Sequence, residues 1–331
     1  MKILISGATG FVGGTITRHL LDAGHEVRAM SRSTGKALTV YAGHEAGRRA
    51  LADGRLTFAQ ADVTRQATLL DAVRDVDVVV QAAQFTGAPV EDPAKGLTYD
   101  AVDRRGTVNL LAAVCDAYGR PTGAPDMLRF AGDAPRFIYM SGISVSPDSL
   151  YSWDQAKWQA EEAIRGSGLE WTIVRSSWAY GRDDAALNRI LHYSDHLPFV
   201  PIFGDGRQPL TPTYVEDIGR LFTLLVAHPD ESRDTLFALG SPDMVTLNQF
   251  LHLALRAMGR IRPILHIPKP LGRLQGAVMY NFPGRPLSPA AVDFVAQAGA
   301  VTGKDRELLA ERFPEFRATP VREGLASYLG G

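Results

Sequence analysis

The glycines of Ile5-Ser6-Gly7-Ala8-Thr9-Gly10-Phe11-Val12-Gly13-Gly14 stand where a short apolar run meets a helical pattern. Gly7 permits a tight turn, Gly10 lets the backbone approach a ligand closely, and Gly13 lets helix and strand pack together. The helix that opens there offers free N–H groups and the positive end of its dipole, which suit phosphate. A glycine triplet alone is a weak signal. One that follows a strand, starts at residue 7 and opens a helix has the context that a dinucleotide pyrophosphate requires. The bland alternative is a glycine turn kept by such a fold after its ligand was lost. The next apolar run ends in Ala29-Met30-Ser31-Arg32-Ser33, with no carboxylate to bind ribose hydroxyls. Arg32 can pair with a 2′-phosphate and stack on adenine, and Ser31 can donate a hydrogen bond. That favours NADP(H) over NAD(H); otherwise Arg32 is a solvated loop residue and the cofactor choice stays open.

Other chemistries find little support. The eight histidines show no paired metal spacing, so no metal site is expected. There is no Gly-x-Ser-x-Gly elbow for a serine nucleophile. Glu161-Glu162 reads as a solvated helix face rather than a carboxylate dyad, and Arg48-Arg49 and Arg104-Arg105 as ordinary surface charge. The formal net charge of -1 argues against nucleic-acid or membrane-surface partners. The single cysteine, Cys115, excludes an internal disulfide, fits a reducing compartment, and lies in an apolar run as a packed core residue. No apolar run approaches the ~20 residues of a membrane span. The chain opens on a strand and a glycine loop where a signal peptide would carry its apolar region, so a cytoplasmic location is expected.

The elements that must position these groups follow from hydrophobic period. Short apolar runs predict strands at residues 3–5, 26–30, 56–61, 77–82, 136–140, 171–174 and 235–239. Helical spacing predicts helices at 11–23, 66–74, 97–118, 154–165, 183–193, 216–227, 247–258 and 320–329, and is weakest in the link after the second strand. Such alternation implies right-handed βαβ units and a Rossmann-type, doubly wound parallel sheet. A sheet of this kind binds ligands at the carboxyl ends of its strands. The expected division is a dinucleotide-binding domain over 1–182, rejoined by 213–240. Residues 183–212 and 241–331 would form a smaller, interleaved substrate-binding subdomain.

The spacing Gly-x-x-Gly-x-x-Gly resembles the short-chain dehydrogenase/reductase superfamily, in its extended and atypical branches, and the likeness runs through about residue 240. Ala61-Asp62-Val63 resembles the loop where the family's acid approaches adenine. Val80-Gln81-Ala82-Ala83 resembles the segment that lines the cofactor, and Ile138-Tyr139-Met140-Ser141 the strand ending in the active-site serine. Val174-Arg175-Ser176-Ser177 is similar to the strand end beside the nicotinamide, with Ser176 where the family's proline stands. Gly204-Asp205-Gly206 and Thr213–Tyr214, followed by Val215-Glu216-Asp217-Ile218, resemble the region that returns the chain to the sheet. Within the superfamily the chain looks most like proteins related to the nucleotide-binding accessory subunit of respiratory complex I, and more loosely like isoflavone-reductase and regulator-like groups.

The resemblance implies that Thr9, Phe11 and Val12 of the loop, with Asp62, Val63, Ala82, Ala83 and Ser177, contact the cofactor. It places Lys157 on the nicotinamide ribose and, as in the isoflavone-reductase-like group, as a catalytic residue able to act as the acid/base without a partner tyrosine. Hydride-transferring members carry Tyr-x-x-x-Lys, in which the lysine lowers the tyrosine pKa. Here Trp153 holds the tyrosine position, and Trp has no ionisable group to serve as an acid or base. Tyr151, six residues before Lys157, reaches the site if it lies in the loop before the helix. Ser141 either donates to a substrate carbonyl or caps the following turn; Ser144, Ser146 and Tyr180 are weaker candidates. Three functions fit: an NADP(H)-dependent oxidoreductase with an atypical active site, acting on a small organic substrate; a non-catalytic nucleotide-binding sensor or structural subunit with a protein partner; or a redox-neutral epimerase, dehydratase or cyclase.

Overall fold

The computed structural model describes residues 1–87, 90–119, 130, 134–282, 287–297 and 299–330. All seven expected strands form: β1 (Lys2–Ser6), β2 (Glu26–Ser31), β3 (Leu56–Gln60), β4 (Val78–Gln81), β5 (Arg136–Gly142), β6 (Trp171–Ser176) and β7 (Thr235–Leu239). They make one parallel sheet in the order β7-β6-β5-β4-β1-β2-β3. The run Val78-Val79-Val80 shows why a short continuous apolar stretch becomes a central strand. All three side chains are fully buried, alternately on the two faces of the sheet.

Twelve helices are used below: α1 (Phe11–Asp22), α2 (Thr34–Ala42), α3 (Glu45–Ala52), α4 (Arg105–Tyr118), α5 (Ser152–Arg165), α6 (Ala185–His196), α7 (Val215–Ala227), α8 (Leu247–Ala257), α9 (Lys269–Met279), α10 (Pro289–Val295), α11 (Gly303–Arg312) and α12 (Val321–Leu329). Ile16 and Leu20 of α1 and Ile218 and Phe222 of α7 pack with Ile3, Ile5 and Val80 on one face of the sheet. Leu110 and Val114 of α4 and Ala160 and Ile164 of α5 pack with Leu4, Val79 and Phe137 on the other. Each buried aliphatic chain contributes roughly 1.5–3 kcal/mol relative to exposure. A third core, around Tyr180, Leu187, Val200, Phe250 and Leu325, assembles from α6, α8 and α12 with the short strand Val200–Phe203.

The departures from expectation are local. The link after β2, the weakest helical signal, folds as two short helices, α2 and α3. The region 66–74 is a 3-10 turn, Gln66–Thr68, followed by Leu70–Val73. The long helix before β5 begins with a π turn, Asp100–Arg104, ahead of α4. Cys115 is only partly buried. No helix among the described residues is long and apolar enough to cross a membrane. The strand order reverses between β1 and β4, so the loops that follow those two strands face one crevice at the sheet's carboxyl edge.

Candidate functional site

The glycine loop sits in that crevice, and the packing around it explains its glycines. Gly7 has φ +68°, and a Cβ there would stand 2.7 Å from the Cα of Ala83 and 2.8 Å from the carbonyl of Ala82. A Cβ on Gly13 would stand 2.3 Å from the carbonyl of Gly7. Only hydrogen fits at either position, which draws β1, the loop and α1 together. Gly10 donates its N–H to the Gly7 carbonyl at 2.9 Å and precedes α1 without a side-chain cap. The N–H groups of Phe11, Val12 and Gly13 therefore open the helix uncapped, and no acidic side chain stands in its first turn. Thr9, Phe11 and Val12 are half-buried on the loop. Tyr41 of α2 steadies the loop from behind by donating to the Ala8 carbonyl at 2.5 Å, and burial pushes its phenol up to about 12.

The other cofactor candidates surround this crevice. Ala82 and Ala83 follow β4 and donate both N–H groups to Ser6 Oγ at 3.1 Å. Val63 is buried against Gly106. Asp62 Oδ1 accepts from the N–H and hydroxyl of Thr64 at 2.9 and 2.8 Å, which fixes the turn after β3. Ser31 ends β2 with its hydroxyl on the Ser33 backbone. Arg32, just beyond, is exposed, and no carboxylate among the described residues pairs with it. Ser177 points elsewhere: its hydroxyl donates to the carbonyl of Gly299 and it is 4% exposed.

A buried polar chain links the loop to Lys157. Ser6 Oγ donates to Gln81 Oε1, Gln81 Nε2 donates to Thr107 Oγ1 at 3.1 Å, and Thr107 Oγ1 donates to the Asp103 carbonyl at 2.7 Å. The Asp103 carboxylate, 1% exposed, accepts from Lys157 Nζ at 2.9 Å and from the Phe85 N–H at 3.0 Å. Burial disfavours the lysine's charge, but the carboxylate of Asp103 outweighs that and holds the Lys157 pKa above its ordinary value. Lys157 Nζ also lies 5.8 Å from the centroid of the Tyr139 ring. Lys157 is thus a retained cation, 12% exposed, at the carboxyl edge of the sheet.

Trp153, one helical turn before Lys157, is clasped rather than free. Its Nε1 donates to Gln297 Oε1 at 3.0 Å, Phe294 of α10 meets its ring edge-on at 5.3 Å, and Tyr151 stacks on it at 4.5 Å. Gln297 Nε2 donates in turn to Asp154 at 2.8 Å, a carboxylate that also accepts from Ser144 and Ser149 at 2.7 and 2.8 Å. Tyr151 is the residue just before α5, with extended backbone and a half-buried ring, so it does lie ahead of the helix and beside Trp153. Tyr180 is fully buried in the third core.

Two expectations are corrected. Glu161 is not a solvated residue. It is fully buried and receives Arg175 through two bonds of 2.9 and 2.7 Å, Arg165 at 2.9 Å, and the Ser141 hydroxyl at 2.6 Å. Ser141, 2% exposed, therefore donates its only hydroxyl proton to Glu161 and has none for a substrate carbonyl. Sequence reasoning missed Asp103, Gln297 and Tyr99. Tyr99 is 4% exposed, packs between Phe85 and Trp153, and its hydroxyl finds no partner among the described residues. Burial, reinforced by Asp103, Glu91 and Asp154, holds its pKa far above the phenol range, so it stays a hydrogen-bond donor. A tyrosine four residues before an aspartate in a helical pattern was the only available signal.

The family described as RmlD substrate binding domain matches residues 1–279. The chain is 25% identical over 321 residues to a 3 beta-hydroxysteroid dehydrogenase/Delta 5-->4-isomerase of Mycobacterium tuberculosis, covering 88% of this chain and 80% of that one. It is 25% identical over 174 residues to a mitochondrial NADH dehydrogenase [ubiquinone] 1 alpha subcomplex subunit 9 of Arabidopsis thaliana, covering 52% of this chain and only 43% of that relative. Among solved structures, the UDP-glucuronic acid 4-epimerase of Bacillus cereus, bound to UDP-glucuronic acid and NAD, superposes with TM-score 0.68 at 19% identity, over 99% of both chains.

Proposed function

Since the chain belongs to the RmlD substrate binding domain family, on the extended branch of the short-chain dehydrogenase/reductase superfamily, we propose that it is a nicotinamide-dinucleotide oxidoreductase. In this reading it prefers NADP(H) and acts on a small organic substrate. The observation that carries the proposal is the buried chain from Ser6 beneath the glycine loop to the Asp103–Lys157 pair, which joins a phosphate cradle to a fixed cation. The residues fit such a cofactor: hydrogen-only glycines, an uncapped helix start and a cation at the strand ends. When bound, the nicotinamide supplies or accepts hydride.

The chain's own groups then have separable tasks. The N–H groups of Phe11, Val12 and Gly13 take the pyrophosphate, and Thr9 lines the loop. Arg32 takes the 2′-phosphate, with Ser31 holding the Ser33 turn beside it, and Asp62, Val63, Ala82 and Ala83 line the cofactor. Lys157 orients the ribose; because Asp103 holds its proton, it acts as a charge and not as an acid. In this reading Tyr151, stacked on Trp153 ahead of α5, exchanges a proton with the substrate, and Tyr99 donates a hydrogen bond without losing its own proton. Segments 183–212 and 241–331 would supply the substrate contacts.

Titration with NADPH and NADH, followed by nicotinamide fluorescence, tests this reading. NADPH should bind at least about 10-fold more tightly, and Arg32→Ala should erase that margin, as loss of one charge-assisted contact implies. Binding of neither nucleotide by protein shown to be free of carried-over cofactor would sink the proposal. A second reading, a non-catalytic nucleotide-binding subunit, draws on the clasping of Trp153 by Gln297 and Phe294. Bound NADPH that no carbonyl or alkene substrate oxidises would favour it. Substrate conversion without net redox change would favour an epimerase or dehydratase.

A further inference from the structure

The helix α9 is mounted the wrong way round for a water-facing helix. An amphipathic helix turns its large apolar residues to the core. Here the inward contacts are made by Gly272 and Gly276, where a Cβ would stand 2.5 Å from the Phe203 ring and 2.6 Å from the backbone of Ser288. Two glycines inside a helix cost roughly 1 kcal/mol each against alanine. The large residues point out: Leu271, Leu274 and Val278 are 56%, 64% and 55% exposed. At 100° per residue they lie within a stripe about 60° wide. Phe282, just past the helix, and Ile261 and Leu265, in and before the strand leading into it, are exposed as well. Seven of the fourteen exposed large apolar side chains among the described residues fall between 244 and 282. Scattered apolar residues need no explanation, but a concentrated face does.

In sequence, the stretch that contains this face carries charge of one sign. Residues 244–292 contain six arginines and lysines and no aspartate or glutamate, in a chain whose net charge is -1. The chain-wide balance conceals this segment, which is why composition argued against a membrane-surface partner. Two of the six have carboxylate partners from other segments, Arg260 with Asp195 and Arg273 with Asp293. An apolar stripe within a cationic segment is the pattern of an element that lies in a lipid headgroup region.

We propose that the outer face of α9 docks this protein on an anionic lipid surface. The helix that carries the face is tied to the Trp153 cluster through α10. Arg273 of α9 pairs with Asp293 of α10 at 2.8 Å, and Phe294 of α10 lies against Trp153. Docking sets the cleft beside the lipid, so an apolar substrate dissolved there reaches it without crossing water. The proposal does not depend on the oxidoreductase reading.

Flotation of the intact protein with phosphatidylcholine vesicles, and with vesicles of phosphatidylcholine plus phosphatidylglycerol, tests it. The protein should float with the anionic vesicles and not with the neutral ones, and high salt should release it. The double variant Leu274→Glu/Val278→Glu changes only exposed positions. It should lose anionic-vesicle partition on the order of 100-fold while keeping its melting temperature and NADPH affinity. Flotation with neither vesicle overturns the proposal. So does equal binding to both, or a dimer that the double variant dissolves, which would assign the face to a second copy of the chain.

Discussion

The two halves of the cleft are built by different means. The nucleotide half is backbone work. Gly7, Gly10 and Gly13 lie within seven residues and act through what they lack, so their role is written in adjacent letters. The half around Lys157 and Trp153 is side-chain work done at a distance. Lys157 is set by Asp103, 54 residues earlier, and Trp153 by Gln297, 144 residues later. A site made of backbone shape tolerates almost no change in its own residues and asks of remote ones mainly that their backbone keep its place. A site made of side-chain pairs is the reverse, and can drift in chemistry while the fold stays fixed.

The sharpest way to break that contrast is Gly13→Val. With 2.3 Å available to a Cβ, the loop must move away from α1. Stability should fall by at least about 3 kcal/mol in denaturant titrations, and NADPH binding should be lost with it. A variant that melts like wild type and binds NADPH would show that the loop is not rigid.

Next is Asp103→Ala, which strands a buried cation and should cost about 3–5 kcal/mol. Its signature lies in the pH dependence. In the wild type the raised Lys157 pKa contributes stability below the ordinary lysine value near 10.4, which is lost as pH rises through the higher folded value. Without the carboxylate, burial depresses that pKa, the unfolded chain binds more protons, and stability should rise with pH toward 10. Melts at about pH 7 and about pH 9.5 would reveal the reversal; parallel curves would refute the pairing.

The smallest effect tests whether the nucleotide half leans on any remote side chain. Glu216 of α7 clamps α1 through His19 at 2.8 Å and Arg18 at 3.0 Å, and those contacts, led by the His19 hydrogen bond, hold its carboxyl down to about 2. A depressed carboxylate stabilises above its unfolded value, near 4.5, and that contribution disappears as pH falls toward 2. For this partly exposed group the loss should be on the order of 1–2 kcal/mol. Glu216→Gln should be less stable near neutrality and flatter across that acid range; an unchanged acid limb would dismiss the clamp.

The same contrast explains what could be read from the sequence. The sheet was legible because runs such as Val78-Val79-Val80 bury on both faces whatever surrounds them. The loop was legible because its glycines are contiguous, and Lys157 because a resemblance located it. Glu161 was not. Helical spacing sets it nearer than Glu162 to the face of Trp153, Ala156, Ala160 and Ile164, but only the fold brings Arg175 and Ser141 to it. Gln297 and Phe294 were invisible for the same reason, since their partner lies in a helix more than a hundred residues away. Two-residue strands such as Ala179–Tyr180 and Thr213–Tyr214 carry too few residues for any period to show.

The π turn at Asp100–Arg104 has a consequence for how such a chain can change. It closes from the Arg105 N–H to the Asp100 carbonyl, one residue more than an α turn holds. In the gene, that surplus amounts to a single codon. Deleting one residue between Asp100 and Asp103 would rewind the segment as ordinary helix and swing everything upstream by about 100° relative to α4. Asp103 would keep its place while Tyr99 left the aromatic cluster. A one-codon deletion, with no substitution anywhere in the cleft, is therefore a route by which relatives of this chain could exchange one pocket lining for another.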